Sequence, residues 1–319
     1  MLYLGNDDIL KLGIDWNKTI DSIGKAVQSY TEGDYSQPVK PYLRYRDLKN
    51  RIIAMPAFLG GDFNISGLKW IASFPDNIKK GKPRASSIVI LNDADTGEIS
   101  SIINTSLLSV IRTASVSGWV INKYVKFGNK KDLTVGIIGW GPIGKYHFKM
   151  CKQILGDRVS QYYLYDLNGI KSDSIDENDQ DKVTVVDNWF DAYNQVDIFI
   201  TCTVSKDRYI NQKPKPGSLI LNVSLRDFEP NVYEYVRNNI IVDDWDEVCR
   251  ENTDIELFHN EFGLERKDVK SIGDLLKEGS IFSTENTTMF NPMGMAIFDL
   301  AISKYYFDLA RRKNIGTDL

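Results

Sequence analysis

Residues 134–144 read Thr134-Val-Gly-Ile-Ile138, then Gly139-Trp-Gly141-Pro-Ile-Gly144, and after a helix-compatible run the chain reaches Tyr162-Tyr-Leu-Tyr165-Asp166. An apolar run, a glycine turn, a helical stretch and a second apolar run ending in an acid make a βαβ half-unit suited to a dinucleotide. Gly139 permits the tight turn out of the strand, Gly141 admits a pyrophosphate without a Cβ in the way, and Gly144 lets helix and strand pack closely. The first-turn amides around Pro142 and Ile143, with the positive end of the helix dipole, then face the phosphates. Trp140 inside the turn shields the cofactor face. Asp166 lies 22 residues beyond Gly144, where a carboxylate accepts from ribose hydroxyls, and no Lys or Arg follows it until Lys171, which favours NAD over NADP. The same glycines would also serve a plain βα turn in another α/β fold, so the surrounding pattern has to carry the assignment.

Downstream the alternation continues. Residues 171–182 are almost entirely polar and read as a solvated loop where a crossover helix would be expected. Val183–Val186, Val196–Cys202, Ser218–Val223 and Asn239–Asp243 are short apolar runs of the kind buried in parallel sheets, enough with the first two for a sheet of about six strands. Residues 254–279 read as a charged helical surface excursion, and Met293–Arg312 as a closing helix that returns to the amino-terminal domain. Upstream, residues 6–33 carry apolar positions at helical spacing, with Asn6 or Asp7 capping a short helix and Asp15 a longer one. Extended pieces around Pro38–Arg46 and Arg51–Phe58, then Ile65–Ser73, Ala85–Leu91 and Glu98–Ile103, predict a mostly antiparallel sheet, with turns at Gly60-Gly61-Asp62 and Asn92–Gly97. Ser106–Tyr124 reads as one long helix. The fold class is therefore α/β: a Rossmann-type doubly wound parallel sheet (residues 117–296, NAD-binding) plus an α+β domain for substrate and dimerisation (1–116 with 297–319).

Composition narrows the function. With 319 residues, 42% hydrophobic, 26% charged and a net charge of −4, the chain is an ordinary globular one lacking the basic face of a nucleic-acid binder. No run is apolar for the roughly 18 residues that span a bilayer, and the first residues carry no leader pattern, so a cytoplasmic protein is expected. Three widely spaced cysteines imply neither disulfides nor a zinc site, and two histidines, His147 and His259, leave the chemistry to carboxylates, lysine and cofactor. His147 is read as a packing residue.

Ligands of open α/β sheets bind at the carboxyl ends of strands. Thr201-Cys202-Thr203 either lines the nicotinamide ribose or merely ends its strand. Val223 and Ser224 end the next strand, and Asp227 after them is either a catalytic carboxylate or a turn former. The amino-terminal domain supplies Lys40, Arg44, Lys69, Arg84 and Arg112. Lys69 alternates within an apolar strand, a position that requires a carboxylate partner, and Arg112 lies on a helix at the expected cleft between domains. Several converging cations suit a substrate with more than one carboxylate.

The stretches Val39-Lys-Pro-Tyr-Leu-Arg44, Arg51-Ile-Ile-Ala-Met-Pro56, Gly67-Leu-Lys-Trp-Ile71, Ser109-Val-Ile-Arg-Thr-Ala-Ser115, Val242-Asp-Asp-Trp245 and Asn291-Pro-Met-Gly-Met-Ala296 together resemble the ornithine cyclodeaminase/mu-crystallin family over essentially the whole chain. The resemblance implies a homodimer, NAD as cofactor with Gly294 among its contacts, Arg44 and Arg112 on a substrate carboxylate, Lys69 beside them and Asp227 as acid/base. Within the family the likeness is to the branch that forms L-2,3-diaminopropionate. Cyclodeaminases carry a glutamate two residues before the Met-Pro pair, where this chain has Ile53. That departure implies oxidative cleavage of a glutamate conjugate rather than cyclisation of ornithine.

Overall fold

The computed structural model describes residues 1–277 and 281–319. Its contacts divide them into two units, Met1–Val116 with Gly294–Leu319, and Ser117–Met293.

The first unit is built on strands β1 (Leu2–Gly5), β2 (Tyr35–Ser36), β3 (Tyr42–Leu43), β4 (Arg51–Leu59), β5 (Ile65–Ser73), β6 (Ala85–Asp93) and β7 (Ile99–Asn104), with the late strand β16 (Thr317–Asp318). They order as β16-β1-β7-β6-β5-β4-β2, with β3 also on β4, and every pair except β1–β7 is antiparallel. Helices α1 (Asn6–Leu12) and α2 (Trp16–Glu32) follow β1, and the closing helix α9 (Ala296–Lys313) packs against α2, β4 and β5. Asp15 caps α2 by accepting from the Lys18 amide, as its position predicts. The first helix differs from expectation: Gly5 is its N-cap, and Asp8 reaches back to the Gly5 amide. Period-two alternation puts Met55, Ala57, Leu59, Lys69, Val89 and Leu91 on the buried face. The opposite face is apolar too, through the cross-strand rows Ala54–Trp70–Ile88 and Pro56–Leu68–Ile90–Ile102, and is only partly covered. Helix α3 (Leu107–Lys126) begins in this unit and continues into the second.

The second unit is an eight-stranded parallel sheet ordered β10-β9-β8-β11-β12-β15-β13-β14. Its strands are β8 (Leu133–Ile138), β9 (Val159–Tyr165), β10 (Val183–Val185), β11 (Ile198–Thr201), β12 (Leu219–Asn222), β13 (Ile240–Val242), β14 (Lys270–Ser271) and β15 (Thr288–Asn291). Helix α4 (Pro142–Leu155) joins β8 to β9, residues 171–182 hold short 3-10 turns in place of a crossover helix, and the short helices α5 (Trp189–Tyr193), α6 (Tyr233–Val236) and α7 (Trp245–Val248) lie in the later connections. Two expectations are corrected. The sheet gains β14 and β15, and β15 inserts between β12 and β13. Its four residues are all buried, too short a run for periodicity to report. The charged segment from 254 is α-helical only as α8 (Asp254–Phe262), whose Asp254, Ile255 and Phe258 are buried rather than solvated, with short 3-10 turns at Arg266–Asp268 and Ile272–Leu276; residues 278 and 279 of that reading lie outside the described residues. No described helix is long and apolar enough to cross a membrane.

Candidate functional site

In the second unit the three glycines after β8 differ in what they answer to. Gly139 turns with φ +90°, and a Cβ there would stand 2.5 Å from the Cys202 carbonyl oxygen; a Cβ on Gly144 would stand 1.9 Å from the Gly139 oxygen. Both are required by the protein's own packing. Gly141, the N-cap of α4, has an ordinary φ of −75°, and a Cβ on it would meet no protein atom within 4 Å. Nothing in the fold demands glycine there, whereas a phosphate at the helix N-terminus does. Asp166 Oδ2 accepts the Trp140 amide at 2.6 Å and Oδ1 the Asn168 amide at 2.9 Å, so its carboxylate is aimed at the turn. A cleft of about 330 Å³ opens between them, lined by Trp140, Gly141, Asp166 and Asn168 with Lys145 and Lys171. The glycine cradle, the oriented acid and the cleft fit a dinucleotide. Lys145 has no signal in the sequence: it lies one residue past the glycine pattern, where nothing distinguishes it from a solvated helix position.

Trp140 is held rather than free to cover a ligand: its indole N–H donates to the Ser174 hydroxyl at 2.9 Å and its ring meets Phe148 edge-on. His147 is fully buried, with Nδ1 donating to the Ile143 carbonyl and Nε2 accepting from the Ser117 hydroxyl, both at 2.8 Å. Burial pushes its pKa down to about 4, so the ring is neutral and structural.

The ends of β11 and β12 form a hydroxyl nest around Asp227. Thr203 donates to Asp227 Oδ1 at 2.5 Å, Ser224 lies against the other oxygen, and Thr201, buried, bonds Asn222 at 3.2 Å. Burial raises the Asp227 carboxyl above its ordinary range, while the hydroxyls of Ser224, Thr203, Thr201 and Tyr209 hold it back. Such a group exchanges a proton more readily near neutrality than an exposed aspartate. Cys202, between the threonines, is held well above the usual thiol range, chiefly by burial. The turn that carries Asp227 is unusual: Leu225 takes φ +68°, a region costly for a branched side chain. It is over-determined by its bonds. Asn222 accepts the Leu225 amide, the Leu225 carbonyl accepts the Asp254 amide, and Asp254 accepts from both Asn222 and the Phe228 amide. Asp254, buried and paired with Arg208 at 2.8 Å, is raised to about 7 by burial against that pairing. Val223, beside Ser224, is half-buried at the strand end.

In the first unit a cation cluster gathers around one carboxylate. Lys69, 2% exposed, donates to Ser109 at 2.7 Å and to Asp299 Oδ1 at 2.8 Å; Arg112 Nε donates to the same oxygen at 3.1 Å. Lys40, also buried, donates to the Gly294 carbonyl at 2.8 Å. The Arg112 terminal nitrogens lie where a Cβ on Gly294 would stand, 2.6 Å from Nη1, so in this unit Gly294 makes room for the guanidinium. Burial lowers Lys69 to about 8, with Asp299 opposing and Arg112 and Lys40 reinforcing the fall. Burial alone would raise the Asp299 carboxyl, but Arg112 and Lys69 leave it below its ordinary value. Asp299 is the carboxylate partner that Lys69 requires. The sequence reading does not single it out, although a lone acid inside Met295-Ala-Ile-Phe-Asp299-Leu-Ala-Ile302 is its signal. Arg44 is placed differently, on the exposed segment after β3 with its guanidinium 5.4 Å from the centre of the Tyr42 ring. Ile53 pairs with Ile71 across β4 and β5, on the face that carries Lys69.

The chain matches the ornithine cyclodeaminase/mu-crystallin family over residues 10–314. It is 35% identical over 341 residues, covering 100% of the chain and 98% of the relative, to the N-((2S)-2-amino-2-carboxyethyl)-L-glutamate dehydrogenase of Staphylococcus aureus. Among solved structures it is similar to the Delta(1)-pyrroline-2-carboxylate reductase of Thermococcus litoralis in complex with NADH and L-proline (TM-score 0.86, 22% identity, 100% of both chains). An archaeal alanine dehydrogenase dimer with bound NAD is comparably close (TM-score 0.85, 24% identity, 100% of this chain and 98% of that one). A glycine cradle on a parallel sheet, an aspartate in a hydroxyl nest and a buried cation cluster thus occur in a chain that belongs to the ornithine cyclodeaminase/mu-crystallin family.

Proposed function

We propose that this chain is an NAD-dependent oxidoreductase acting on a CH–NH bond of an amino acid, and that its substrate is N-((2S)-2-amino-2-carboxyethyl)-L-glutamate, cleaved to 2-oxoglutarate and L-2,3-diaminopropionate. The observation that carries the reading is the buried pair of cations, Lys69 and Arg112, held together on one carboxylate oxygen of Asp299. Two buried cations on one carboxylate favour an anionic ligand beside them, and this conjugate carries three carboxylates. The 35% identity to the staphylococcal dehydrogenase supports the same substrate.

Gly139, Gly141 and Gly144 with the first amides of α4 are the proposed pyrophosphate cradle, and Asp166 the ribose acceptor. Trp140, Pro142 and Ile143 shape that turn, and Thr201, Cys202, Thr203, Val223, Ser224 and Gly294 complete the proposed cofactor contacts. When bound, NAD supplies the hydride acceptor. Asp227 takes the proton of the secondary amine as the glutamate Cα–H bond is oxidised, then returns it as water adds to the substrate imine and the C–N bond breaks. Arg112 and Lys69 hold a substrate carboxylate throughout, with Arg44 the proposed second guanidinium. Ile53, an apolar group beside Ile71, offers no carboxylate for a cyclodeaminase reaction.

Incubation with NAD and the conjugate should yield NADH and 2-oxoglutarate in equal amounts; ammonia and proline from ornithine without net NADH would sink the reading. Asp227→Asn should lower kcat by about 10²- to 10⁴-fold while NADH still binds. The partly covered rows Ala54–Trp70–Ile88 and Pro56–Leu68–Ile90–Ile102 form an apolar sheet face that we assign to a homodimer interface.

A further inference from the structure

We infer that Asp299 is the positioning residue of the cation cluster, holding Lys69 and Arg112 on one carboxylate oxygen so that the terminal nitrogens of Arg112 are left for a ligand. This deepens the reading that Lys69 and Arg112 bind a substrate carboxylate and rests on it.

The geometry differs from that of a pair evolved only to neutralise. An arginine and a carboxylate left to themselves form a two-bond fork through both oxygens. Here Asp299 uses Oδ1 alone, taking Lys69 Nζ at 2.8 Å and Arg112 Nε at 3.1 Å. Its Oδ2 is buried with no hydrogen-bond partner among the described residues, as is Ser303 Oγ one turn further along α9. Leaving a buried carboxylate oxygen unsatisfied costs stability, so this orientation does something other than maximise pairing. It leaves the terminal nitrogens of Arg112, the part of a guanidinium that grips a carboxylate, beside Gly294, where the missing side chain keeps space for them.

Asp299 also favours the charged form of Lys69. Among the described residues, the charged or polar groups facing that ammonium include Asp299 on α9, Arg112 and Ser109 on α3, and Lys40 before β3. Burial, Arg112 and Lys40 all favour the neutral amine, and the charge and hydrogen bond of Asp299 oppose them. Without this bond the lysine loses the interaction that favours its charged, anion-holding form.

The test is an NMR titration of ε-¹³C-lysine-labelled protein, with Lys69 assigned by its loss in Lys69→Met, run beside turnover of the glutamate conjugate. In Asp299→Asn the Lys69 midpoint should fall by about one to three units, and kcat/KM should drop about 10- to 100-fold, with its alkaline limb moving to lower pH in step. Asp299→Glu, which keeps the charge but shifts the oxygen, should leave the midpoint within about half a unit of wild type yet still raise KM; it serves as the readout if the asparagine variant does not fold. NADH binding, reported by fluorescence, verifies the fold of each. An unmoved Lys69 midpoint in Asp299→Asn, or a wild-type KM in Asp299→Glu, overturns the proposal. A shifted midpoint with Lys69→Met fully active instead overturns the substrate-binding reading and leaves the hold of Asp299 on Lys69 standing.

Discussion

Single residues in the glycine turn separate what the fold needs from what the ligand needs. Gly144→Ala forces a Cβ to 1.9 Å from the Gly139 oxygen, so it should destabilise the protein by about 1–3 kcal/mol, read as a lowered denaturation midpoint. Gly141→Ala meets no protein atom; its melting temperature should match wild type while NADH affinity, followed by fluorescence, weakens roughly 10-fold, about 1.4 kcal/mol. Equal stability losses in both variants would refute the phosphate role of Gly141. His147 gives a pH signature. Its folded pKa of about 4 lies below the ordinary 6.5, so between those values the unfolded chain binds more protons and stability rises with pH. Acidification from pH 7 to 5 should therefore cost the wild type about 2 kcal/mol that His147→Asn does not lose, measured as the difference between their urea denaturations at the two pH values. Residue types carry much of this in advance: the glycines, Asp166, Asp227 and Lys69 each stand where a strand end or an alternating strand leaves little choice. Asp299 does not stand out, because its importance comes from a partner 230 positions away in sequence.

At the scale of elements, the β12 turn shows where pattern reading runs out. An apolar run followed by Ser224-Leu-Arg-Asp227 predicts a strand end and an acid; it does not predict that Leu225 is left-handed, because that conformation is imposed by Asn222 and Asp254 from elsewhere in the fold. The charge-rich composition from Asp254 onward predicts a solvated helix, and it hides a buried acid in the first position. Asp254→Asn removes the partner of Arg208 and loosens the turn. Breaking one half of a buried pair costs about 3–5 kcal/mol, and kcat should fall by more than NADH affinity does, since the cradle at Gly139–Gly144 is a separate element. A variant with intact stability and turnover would show the brace to be dispensable. Strands β14 and β15 are unreadable for a simpler reason. Two to four residues carry no period, and their place in the sheet is set by pairing with β12 and β13.

For the whole molecule, both sheets are foreseeable because each repeats a period along much of the chain: alternation in β4 to β7, buried apolar runs between glycine and acid in β8 to β13. The partly covered apolar face of the first unit makes a prediction at this scale. Sedimentation velocity should find a dimer at micromolar concentration, and Trp70→Glu, at the centre of the Ala54–Trp70–Ile88 row, should shift it to monomer; a wild-type monomer would count against that face. Cys202 has a consequence of another kind. Its sulfur sits at the end of β11 between two threonines of the proposed cofactor contacts and is kept a thiol well above its usual range, while Cys151 is pushed up to about 12 and Cys249 to about 11, in each case by burial first. Peroxides and alkylating reagents attack thiolates, and these cysteines withhold them. The enzyme should keep its activity through oxidative bursts that silence thiol-dependent dehydrogenases, a tolerance that iodoacetamide or peroxide challenge at pH 7 would measure directly.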